Sequence, residues 1–469
     1  MSSFDVVVIG GGPAGERAAI LAAKLGKRVA LVEREHVVGG TGVNWGAIPS
    51  KTLRESAVFV QSLASRKVEG IPCGIEGEIT IADFMYRARH VVAREIDLIN
   101  QSLDRYAVEL FEGHGRLVDD HTVSVSGVDG QIRMLLKGDF IVLATGSSPH
   151  RPDDVQFDSD VVFDSASVLG LPRMPRSVVV LGAGVIGVEY ASIFAALGLQ
   201  VTLVDTRAEL LPYLDREIAT RLLRELRRLG IVVIHDDQYE RVTRIEGDPP
   251  TVRIDTRAGN VLEADVLLYC VGRDGNSGSV GLDKVGITPN ARGLIGVNEH
   301  FQTNVPHIYA VGDVIGYPAL ASTSMEQGRQ AIRHAYGVPG PQRRTAWLPF
   351  AIYAIPEVSY IGDTEESLKE QGVEYLVGRA RYDHNPRGQI RGDLGGMMKL
   401  LFEAGSLKLR GAHIVGSAAS ELIHTGQAFL YSGATAVDLV AMLYNYPTLS
   451  DLYRHAAQEV LRSATPRPA

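Results

Sequence analysis

The chain is 469 residues long, which is enough sequence for about two to four domains with their own buried cores. Hydrophobic residues make up 45% of the chain and charged residues 22%, and the 50 glycines predict a soluble globular protein with many tight turns. The net charge of −8 gives no electrostatic reason to expect a nucleic acid or an anionic membrane as a partner.

The number and spacing of the cysteines and histidines narrow the possible class of protein further. The two cysteines, Cys73 and Cys270, lie far apart in sequence, which indicates a reducing compartment and no disulfide framework. The first apolar run, DVVVIG, has no basic leader and is therefore a poor signal peptide. We expect a cytoplasmic protein. The thirteen histidines show no metal-ligand spacing, so no metal site is predicted.

A repeat joins two parts of the chain. Residues 5–33 (DVVVIGGGPAGERAAILAAKLGKRVALVE) align without a gap with residues 177–205 (SVVVLGAGVIGVEYASIFAALGLQVTLVD), and 13 of the 29 positions are identical. Each copy begins with a β-branched run that is typical of a buried parallel strand, continues through an alanine-rich helix and ends in a second strand. The repeat therefore predicts two strand–helix–strand units.

Each copy carries the pattern G-x-G-x-x-G between its first strand and its helix. The first glycine permits a tight turn, the second lets the backbone approach a pyrophosphate, and the third lets helix and strand pack closely. The helix N-terminus offers N–H groups and a positive dipole end to the phosphates. An acid 18 residues past the last glycine, Glu33 or Asp205, can accept hydrogen bonds from the adenosine ribose. Two matched copies predict two dinucleotide sites.

The loop GGTGVNWGAIPSK (residues 39–51) follows the first copy. It is rich in glycine, turns at Pro49 and leads into a helix that we expect to open at Lys51. Further along, IVLATGSSPHRP (141–152) is a buried strand that ends in a Gly/Ser/Pro turn, and DSASVLGLPRMPRS (164–177) is interpreted as a connector.

The remaining segments follow the second copy. VLLYCVGRDGN ends the second nucleotide unit, and HIYAVGDVIGYPALAS (307–322) is a strand that runs into a turn with an exposed acid, Asp313, before a helix through about residues 321–336. From Trp347 the pattern changes to strands such as MMKLLFEAG, followed by helices. We predict an α/β fold of two doubly wound, Rossmann-like dinucleotide-binding domains and a third, α+β domain.

These segments together carry a family resemblance. Over nearly its whole length the chain resembles the pyridine nucleotide–disulfide oxidoreductases, flavoproteins that include lipoamide dehydrogenase and glutathione reductase. The resemblance rests on the two glycine motifs, the 39–51 loop, ATG at 144–146, VGRDGN and YAVGDVIG. Within the family, the wording of GAGVIGVEYASIF, YAVGDVIGYPALAS and NYPTLSDLYRHAA is most similar to the soluble pyridine nucleotide transhydrogenases.

The resemblance implies cofactors and domain roles. It implies an FAD-binding domain of residues 1–150 and 274–346, a domain of residues 151–273 that binds NAD(H) or NADP(H), and a dimerisation domain of residues 347–469. The third domain would form the interface of a homodimer.

The chain departs from the family at its sulfur chemistry. Disulfide reductases of this family carry two cysteines in the 39–51 loop, and here those positions are Gly42 and Ala47. They also use a histidine–glutamate pair near the C-terminus, where this chain has Tyr446 and Asp451. Thiol–disulfide exchange requires an attacking thiolate, and neither cysteine of the chain lies in a segment that should reach the flavin. We therefore expect no disulfide reduction.

The resemblance also implies site residues. Lys51 would lie close to the reactive nitrogen of the flavin, Glu189 would pair with that lysine beside the nicotinamide ring, and Tyr446 would complete the catalytic set. The predicted cofactor-binding residues are Gly10, Gly12, Gly15, Glu33, Arg34, Gly40, Thr41, Lys51, Ala144, Thr145, Gly146, Gly182, Gly184, Gly187, Glu189, Asp205, Arg207, Gly272, Arg273, Gly312, Asp313 and Ala321.

Three of these assignments have plainer alternatives. Lys51 could be a solvated lysine at a helix start, and Asp313, which resembles the acid that contacts the ribityl chain, could be an ordinary turn acid. Tyr446 is either an aromatic wall near the flavin or interface packing.

The sequence leads to one main function and two rivals. Asp205 favours the free 2′-hydroxyl of NAD and Arg207 attracts the 2′-phosphate of NADP, which suits an enzyme that accepts both. We hypothesise a ping-pong transhydrogenase that passes hydride from NADPH through FAD to NAD⁺. The alternatives are an NAD(P)H:quinone or dye reductase, and a catalytically silent flavin-binding protein.

Overall fold

The computed structural model describes residues 2–65, 79–340 and 347–464. Cys73 lies outside these residues, so its predicted lack of a chemical role stays a prediction.

The strands in the described residues are numbered in chain order. They are β1 (Ser2–Ile9), β2 (Val29–Glu33), β3 (Glu109–Glu112), β4 (His114–Leu117), β5 (Thr122–Ser126), β6 (Ile132–Leu143), β7 (Ser147–Pro149), β8 (Val162–Asp164), β9 (Ser177–Leu181), β10 (Gln200–Val204), β11 (Val232–Ile234), β12 (Tyr239–Ile245), β13 (Thr251–Thr256), β14 (Val261–Ala264), β15 (Val266–Tyr269), β16 (Arg273–Gly275), β17 (Ile308–Ala310), β18 (Phe350–Ile352), β19 (Val358–Gly362), β20 (Tyr375–Arg381), β21 (Met397–Glu403) and β22 (Leu409–Val415).

The α-helices are numbered in the same way. They are α1 (Pro13–Lys24), α2 (Gly40–Asn44), α3 (Ala47–Ser65), α4 (Ile81–Arg105), α5 (Val185–Ala196), α6 (Arg216–Arg228), α7 (Ala321–Ala335), α8 (Glu365–Glu370), α9 (Pro386–Arg391), α10 (Ala419–Ser432), α11 (Ala436–Ala441) and α12 (Leu452–Ala464).

The chain divides into two compact units. The first unit comprises the described residues within Met1–Leu53, Gly77–Met174 and Cys270–Gln342. The second unit comprises those within Arg54–Glu76, Pro175–Tyr269 and Arg343–Ala469.

A parallel sheet in the order β3-β2-β1-β6-β17 forms the centre of the first unit. Side chains alternate between the two faces of a strand, so Val6 and Val8 of β1 join one apolar cluster while Val7 and Ile9 join another. Because both faces are covered, β1 needs an unbroken apolar run, which is what DVVVI supplies. The first half of β6 also pairs with β5 in an antiparallel extension.

The second unit contains another parallel arrangement, in the order β11-β10-β9-β15. Its β9–α5–β10 segment repeats the β1–α1–β2 segment of the first unit, so the prediction of two strand–helix–strand units is confirmed. A three-stranded antiparallel sheet, β12-β13-β14, accompanies it.

The C-terminal part of the second unit is an antiparallel sheet in the order β18-β19-β22-β21-β20. Helices α10 and α12 cover one face, where Met398, Leu400 and Ile414 pack with Tyr453. Lys399 alternates with those residues and therefore lies on the opposite face, where it contacts the N-terminus of α6. The predicted α/β fold with a third, α+β domain is confirmed.

The 39–51 segment differs from its prediction. It forms the short helix α2, and α3 begins at Ala47, so Lys51 lies in the second turn rather than at the helix start. Pro49 is the third residue of α3, where its missing N–H has no intrahelical partner to lose. The helix predicted through about residues 321–336 is confirmed as α7.

Candidate functional site

Two glycines of the first motif are packed too tightly for any other residue type. Gly10 has φ of +108°, and a Cβ there would lie 2.3 Å from the carbonyl oxygen of Ala144. A Cβ on Gly15 would lie 1.9 Å from the carbonyl oxygen of Gly10. The turn from β1 into α1 therefore depends on glycine at both positions.

Helix α1 begins with its first N–H groups free of a side-chain cap. Gly12 is the N-cap residue with an extended backbone, and Pro13 follows at the first helical position. The loop before α2 lies against this turn, with the Gly39 N–H donating to the Gly11 carbonyl at 2.8 Å. An uncapped helix start beside glycine backbone fits a pyrophosphate group.

Glu33 lies at the end of β2 with capacity for a ligand. One carboxylate oxygen accepts from the Gly11 N–H at 2.7 Å and the other from the Glu35 N–H at 3.0 Å. A carboxylate has about four acceptor positions, so two remain for hydroxyl groups such as those of a ribose. Arg34 is exposed, and its Nε donates to Glu35 at 3.0 Å.

The second motif reproduces this geometry. Gly184 has the same backbone angles as Gly12, φ −74° and ψ −177°, and likewise caps α5 without a side-chain bond. The Gly182 N–H donates to Val204 at 2.8 Å, as the Gly10 N–H does to Val32. A Cβ on Gly184 would meet no described atom within 4 Å, so the backbone faces open space where a ligand can approach. Gly187 lies in the first turn of α5.

Asp205 differs from Glu33 because its acceptor positions are filled. Its Oδ2 accepts from the Ala183 N–H at 2.7 Å and from Nη2 of Arg207 at 2.6 Å. Its Oδ1 accepts from the N–H and the Nε of Arg207 at 2.9 and 3.0 Å. Burial alone would raise the pKa of Asp205, but the bonds from Arg207 and Ala183 outweigh burial and lower the pKa.

The Ala144-Thr145-Gly146 turn follows β6 and holds an unsatisfied group. The Thr145 hydroxyl is buried and has no hydrogen-bond partner among the described residues. Asn276 clamps the turn, donating from Nδ2 to the Thr145 carbonyl at 3.0 Å and from its N–H to Gly146 at 3.0 Å. A buried orphan hydroxyl is costly, and a bound cofactor with acceptor atoms would satisfy it.

Asp313 belongs to a partly buried polar network with Ser147 and Arg273. The Ser147 hydroxyl donates to Asp313 at 2.8 Å and accepts from Nε of Arg273 at 2.8 Å, while Nη2 of Arg273 donates to the Ser147 carbonyl at 2.7 Å. Burial lowers the pKa of Arg273. The prediction that Asp313 is exposed is wrong. Its side chain is partly buried and bonded to Ser147 within this polar network.

Helix α7 lies next to Gly312 and begins at Ala321. The Gly312 N–H donates to Gln327 of α7 at 2.8 Å, and Ala321 is the first residue of α7, whose N-cap residue makes no side-chain bond. A Cβ on Gly328 would lie 2.2 Å from the Ala14 carbonyl, so α7 packs closely on α1. The uncapped start of α7 is suited to stabilising negative charge.

The 39–51 segment contains no sulfur. Gly40 begins α2, and the Thr41 hydroxyl lies 3.5 Å from the Ser147 carbonyl. A Cβ on Gly42 would lie 2.9 Å from Cγ of Pro13, so α2 is seated against α1 where a larger side chain would need the chain to shift. Nζ of Lys51 donates to the Ser50 hydroxyl at 3.3 Å.

Cys270 is a poor thiol nucleophile. It follows β15 and precedes Gly272 and Arg273, and burial raises the pKa of its thiol. A raised pKa leaves little thiolate at neutral pH. Cys270 is therefore not a candidate nucleophile for thiol–disulfide exchange.

Glu189 and Tyr446 lie in the second unit in contrasting environments. Glu189 is 3% exposed on α5, and its Oε1 accepts from the Tyr353 N–H at 2.8 Å. Tyr446 is 79% exposed. The pairing of Glu189 with Lys51 and the role of Tyr446 stay predictions.

Sequence reasoning missed several residues of these sites. Ser147, Asn276 and Tyr353 were not predicted, although Ser147 directly follows the Ala-Thr-Gly turn that was. That adjacency was the available signal. Tyr353 contacts Glu189 through its backbone N–H, and a sequence carries no signal for such a contact.

The structure combines two strand–helix–strand units that carry glycine-rich turns with an α+β C-terminal part. The sequence matches the family model of pyridine nucleotide-disulphide oxidoreductases over residues 4–328, and that of the dimerisation domain of the same family over residues 348–457. The chain belongs to the pyridine nucleotide-disulphide oxidoreductase family. Members of this family use FAD and NAD(P)H.

Named relatives match the chain over nearly its whole length. The chain is 45% identical over 462 residues to a soluble pyridine nucleotide transhydrogenase of Mycobacterium bovis, and 42% identical over 463 residues to one of Chromohalobacter salexigens, with 98% of each chain covered in both comparisons.

Solved structures show the same fold. LpdA from Mycobacterium tuberculosis superposes with a TM-score of 0.89 at 26% identity, over 98% of this chain and 99% of that one. The Cu(II) complex of the HOCl-induced flavoprotein disulfide reductase RclA from Escherichia coli gives 0.87 at 26% identity, over 98% of this chain and 100% of that one. Within the described residues, no helix combines the length and the apolar character needed to cross a bilayer.

Proposed function

We propose that this protein is an FAD-dependent transhydrogenase that moves a hydride from NADPH to NAD⁺. The relatives named as soluble pyridine nucleotide transhydrogenases cover the full chain at 42–45% identity, which favours this activity over quinone or dye reduction. The structural observation that carries the proposal is the Asp205–Arg207 pair, because its neutralised charge repels neither coenzyme.

The reaction balances without any other reactant. NADPH loses one proton and two electrons together as a hydride and becomes NADP⁺, and NAD⁺ gains the hydride and becomes NADH. In a ping-pong order the first nucleotide leaves before the second binds to the same site. FAD, when bound, supplies a two-electron acceptor and donor between the two half-reactions.

In this proposal FAD binds at the first glycine motif, in a site that we call the first cradle and that comprises the start of α1, Glu33, Thr145 and Asp313. The uncapped start of α1 binds the pyrophosphate, Glu33 accepts from ribose hydroxyls, and the Thr145 hydroxyl donates to the cofactor. Asp313, oriented by Ser147, binds the ribityl chain. The observations that support this fit are the free acceptor positions of Glu33 and the orphaned hydroxyl of Thr145.

The second cradle comprises the start of α5, Asp205 and Arg207, and it binds NAD(H) and NADP(H) in turn. The start of α5 binds the pyrophosphate, and Arg207 meets the 2′-phosphate of NADP(H) while it stays bonded to Asp205. NAD(H) binding requires Arg207 to release an acceptor position of Asp205 to the 2′-hydroxyl. Lys51 and Glu189 orient the two reacting rings, since positioning supplies much of the rate when the cofactors carry the chemistry.

The domain roles and the assembly remain part of the proposal. Residues 1–150 and 274–346 bind FAD, residues 151–273 bind the nicotinamide nucleotide, and residues 347–469 form the interface of a cytoplasmic homodimer. The match of residues 348–457 to the family's dimerisation domain supports the interface. Gly42 and Ala47 in place of cysteines support the exclusion of disulfide reduction.

Stopped-flow absorbance with the FAD-loaded protein tests the activity. We expect both NADPH and NADH to bleach the flavin under anaerobic conditions, and NAD⁺ to restore its colour after NADPH. A protein that reacts with only one of the two coenzymes is not a transhydrogenase. Steady oxidation of one coenzyme that depends on an added quinone, without transfer to NAD⁺, would instead identify the quinone reductase.

A further inference from the structure

The segment Tyr353–Ala354–Ile355, between β18 and β19, is bound to two helices through its backbone. The Tyr353 N–H donates to Oε1 of Glu189 at 2.8 Å, and the Ile355 N–H donates to Oγ of Ser192 at 3.0 Å. The Ala354 carbonyl accepts from Nε of Arg54 at 3.0 Å. All three backbone groups therefore have side-chain partners on α5 or α3.

Ser192 is hydrogen-bonded both to this segment and to Glu189. Its hydroxyl donates to the Glu189 carbonyl at 2.8 Å, one turn earlier on α5, and accepts from the Ile355 N–H. The residue is completely buried. A serine inside a helix that bonds back to the preceding turn slightly weakens the helix, and alanine would be the better helix former at this position. The stability of α5 alone does not explain a serine here.

Arg54 holds the segment from its other side. This arginine of α3 is buried, and besides its bond to Ala354 its Nη2 lies 3.0 Å from Oε1 of Glu357, at the end of the same connection. A buried guanidinium that is bonded to a carbonyl and a carboxylate has little freedom to move. The segment is thereby kept in register against α5.

We infer that Ser192 and the 353–355 segment are positioning elements for Glu189. This inference rests on the proposed role of Glu189 at the nicotinamide ring. A buried carboxylate needs donors, and the Tyr353 N–H selects one orientation of the Glu189 side chain. Ser192 fixes the distance between that N–H and α5. The domain that the family uses for dimerisation thus sets the geometry of the hydride-transfer site.

A double-mutant cycle in the FAD-loaded protein tests this inference. The measured quantity is the rate constant of flavin bleaching at saturating NADPH, for the wild type, Ser192→Ala, Glu189→Gln and the double variant. We expect Ser192→Ala to slow bleaching about 10-fold, with the Kd for NADPH unchanged, because small misplacements of a reacting group are costly. Since Ser192 acts through Glu189, the double variant should be as slow as Glu189→Gln alone.

The other outcomes overturn the inference in distinguishable ways. If Glu189→Gln leaves bleaching unchanged, the role of Glu189 in the proposed function fails, and the inference fails with it. If Glu189→Gln slows bleaching but Ser192→Ala does not, or if the two effects multiply, only the positioning inference fails.

A matched control separates positioning from helix stability. Ser463→Ala removes the same type of bond, from a serine hydroxyl to the carbonyl three residues earlier at 2.8 Å, and should leave bleaching unchanged. If Ser192→Ala does not fold, Ser192→Cys takes its place in the cycle, because a thiol is only a weak donor and acceptor and therefore weakens both hydrogen bonds of the hydroxyl. FAD content and the melting temperature are recorded for every variant.

Discussion

Arg207 closes a two-point fork on Asp205, with Nε 3.0 Å from Oδ1 and Nη2 2.6 Å from Oδ2. With the two backbone N–H groups that Asp205 also accepts, the fork fills the acceptor positions of the carboxylate. Glu33, at the matching place in the other repeat, has no such partner in the part of the chain that the structure describes. Two copies of one motif therefore present different surfaces to an adenosine ribose.

Removal of Arg207 should make the protein favour NAD(H) over NADP(H). In Arg207→Ala we expect the Kd for NADPH to rise about 10- to 100-fold, the value of a charge-assisted bond to phosphate. The Kd for NADH should fall, because Asp205 regains free acceptor positions. Titration of both coenzymes by fluorescence measures the two constants, and Arg34→Ala in the first cradle is the control. Equal changes for both coenzymes would show that Arg207 does not discriminate between them.

Gly184→Ala should separate folding from coenzyme binding. The backbone at Gly184 suits alanine, and the added methyl meets no described atom within 4 Å. Only a bound pyrophosphate would contact it. We therefore expect a normal melting temperature and full FAD content, but an NAD(P)H Kd raised at least about 10-fold. Gly170→Ala, also in open space, serves as the control. Unchanged coenzyme affinity would place the pyrophosphate elsewhere.

Gly15→Ala should instead damage the first unit itself. The added Cβ would lie 1.9 Å from the Gly10 carbonyl oxygen, so the β1–α1 turn must open. We expect a destabilisation of about 1–3 kcal/mol from the overpacked turn, with purified protein that is colourless. The absorbance ratio at 450 and 280 nm reports FAD content. A stable yellow variant would contradict the tight turn.

Lys399 should be a major contributor to the stability of the second unit. It is 1% exposed, its Nζ lies 2.8 Å from Oδ1 of the fully buried Asp215, and Glu217 and Glu365 complete its partners. Lys399→Met leaves Asp215 without its cation. Breaking a buried pair in this way costs about 3–5 kcal/mol, measured by denaturant unfolding. Exposed Lys408→Met is the control, and an equal effect there would argue against the ion network.

The same network makes stability depend on pH. Burial alone would raise the pKa values of Asp215, Glu217 and Glu365, but other groups outweigh burial and lower all three. The pKa of Asp215 is lowered by His413 and Lys399, that of Glu217 by Arg379 and Lys399, and that of Glu365 by Lys399 and Tyr375. A carboxyl group with a lowered folded pKa stabilises the fold above its unfolded pKa of about 4, and this stabilisation is lost as the pH falls through the folded value.

The expected result is therefore a loss of unfolding free energy on acidification from neutral pH to below about pH 4. Lys399→Met should show a flatter dependence, because the three carboxyl groups lose the cation that they share. Identical pH profiles for the wild type and the variant would mean that other groups control acid unfolding.

Local features of the site could be predicted from the sequence because they depend on residues close together in the chain. The turns at Gly10 and Gly182, the apolar strands before them and the acids that follow are all set within about thirty residues, and glycine is the residue type that such turns demand. The repeat therefore identified both strand–helix–strand units. The boundary of α3 was misplaced because Pro49 indicated a turn, although proline is tolerated in the first turn of a helix.

The sequence by itself thus determined the number, order and type of the nucleotide units, since backbone sterics and side-chain periodicity act locally. Only the tertiary structure decided how the acids in them are engaged. Ser147 meets Asp313 across 166 residues, and Glu189 meets the Tyr353 N–H across 164. Such contacts depend on how separate elements pack, and a polar side chain does not encode its distant partner.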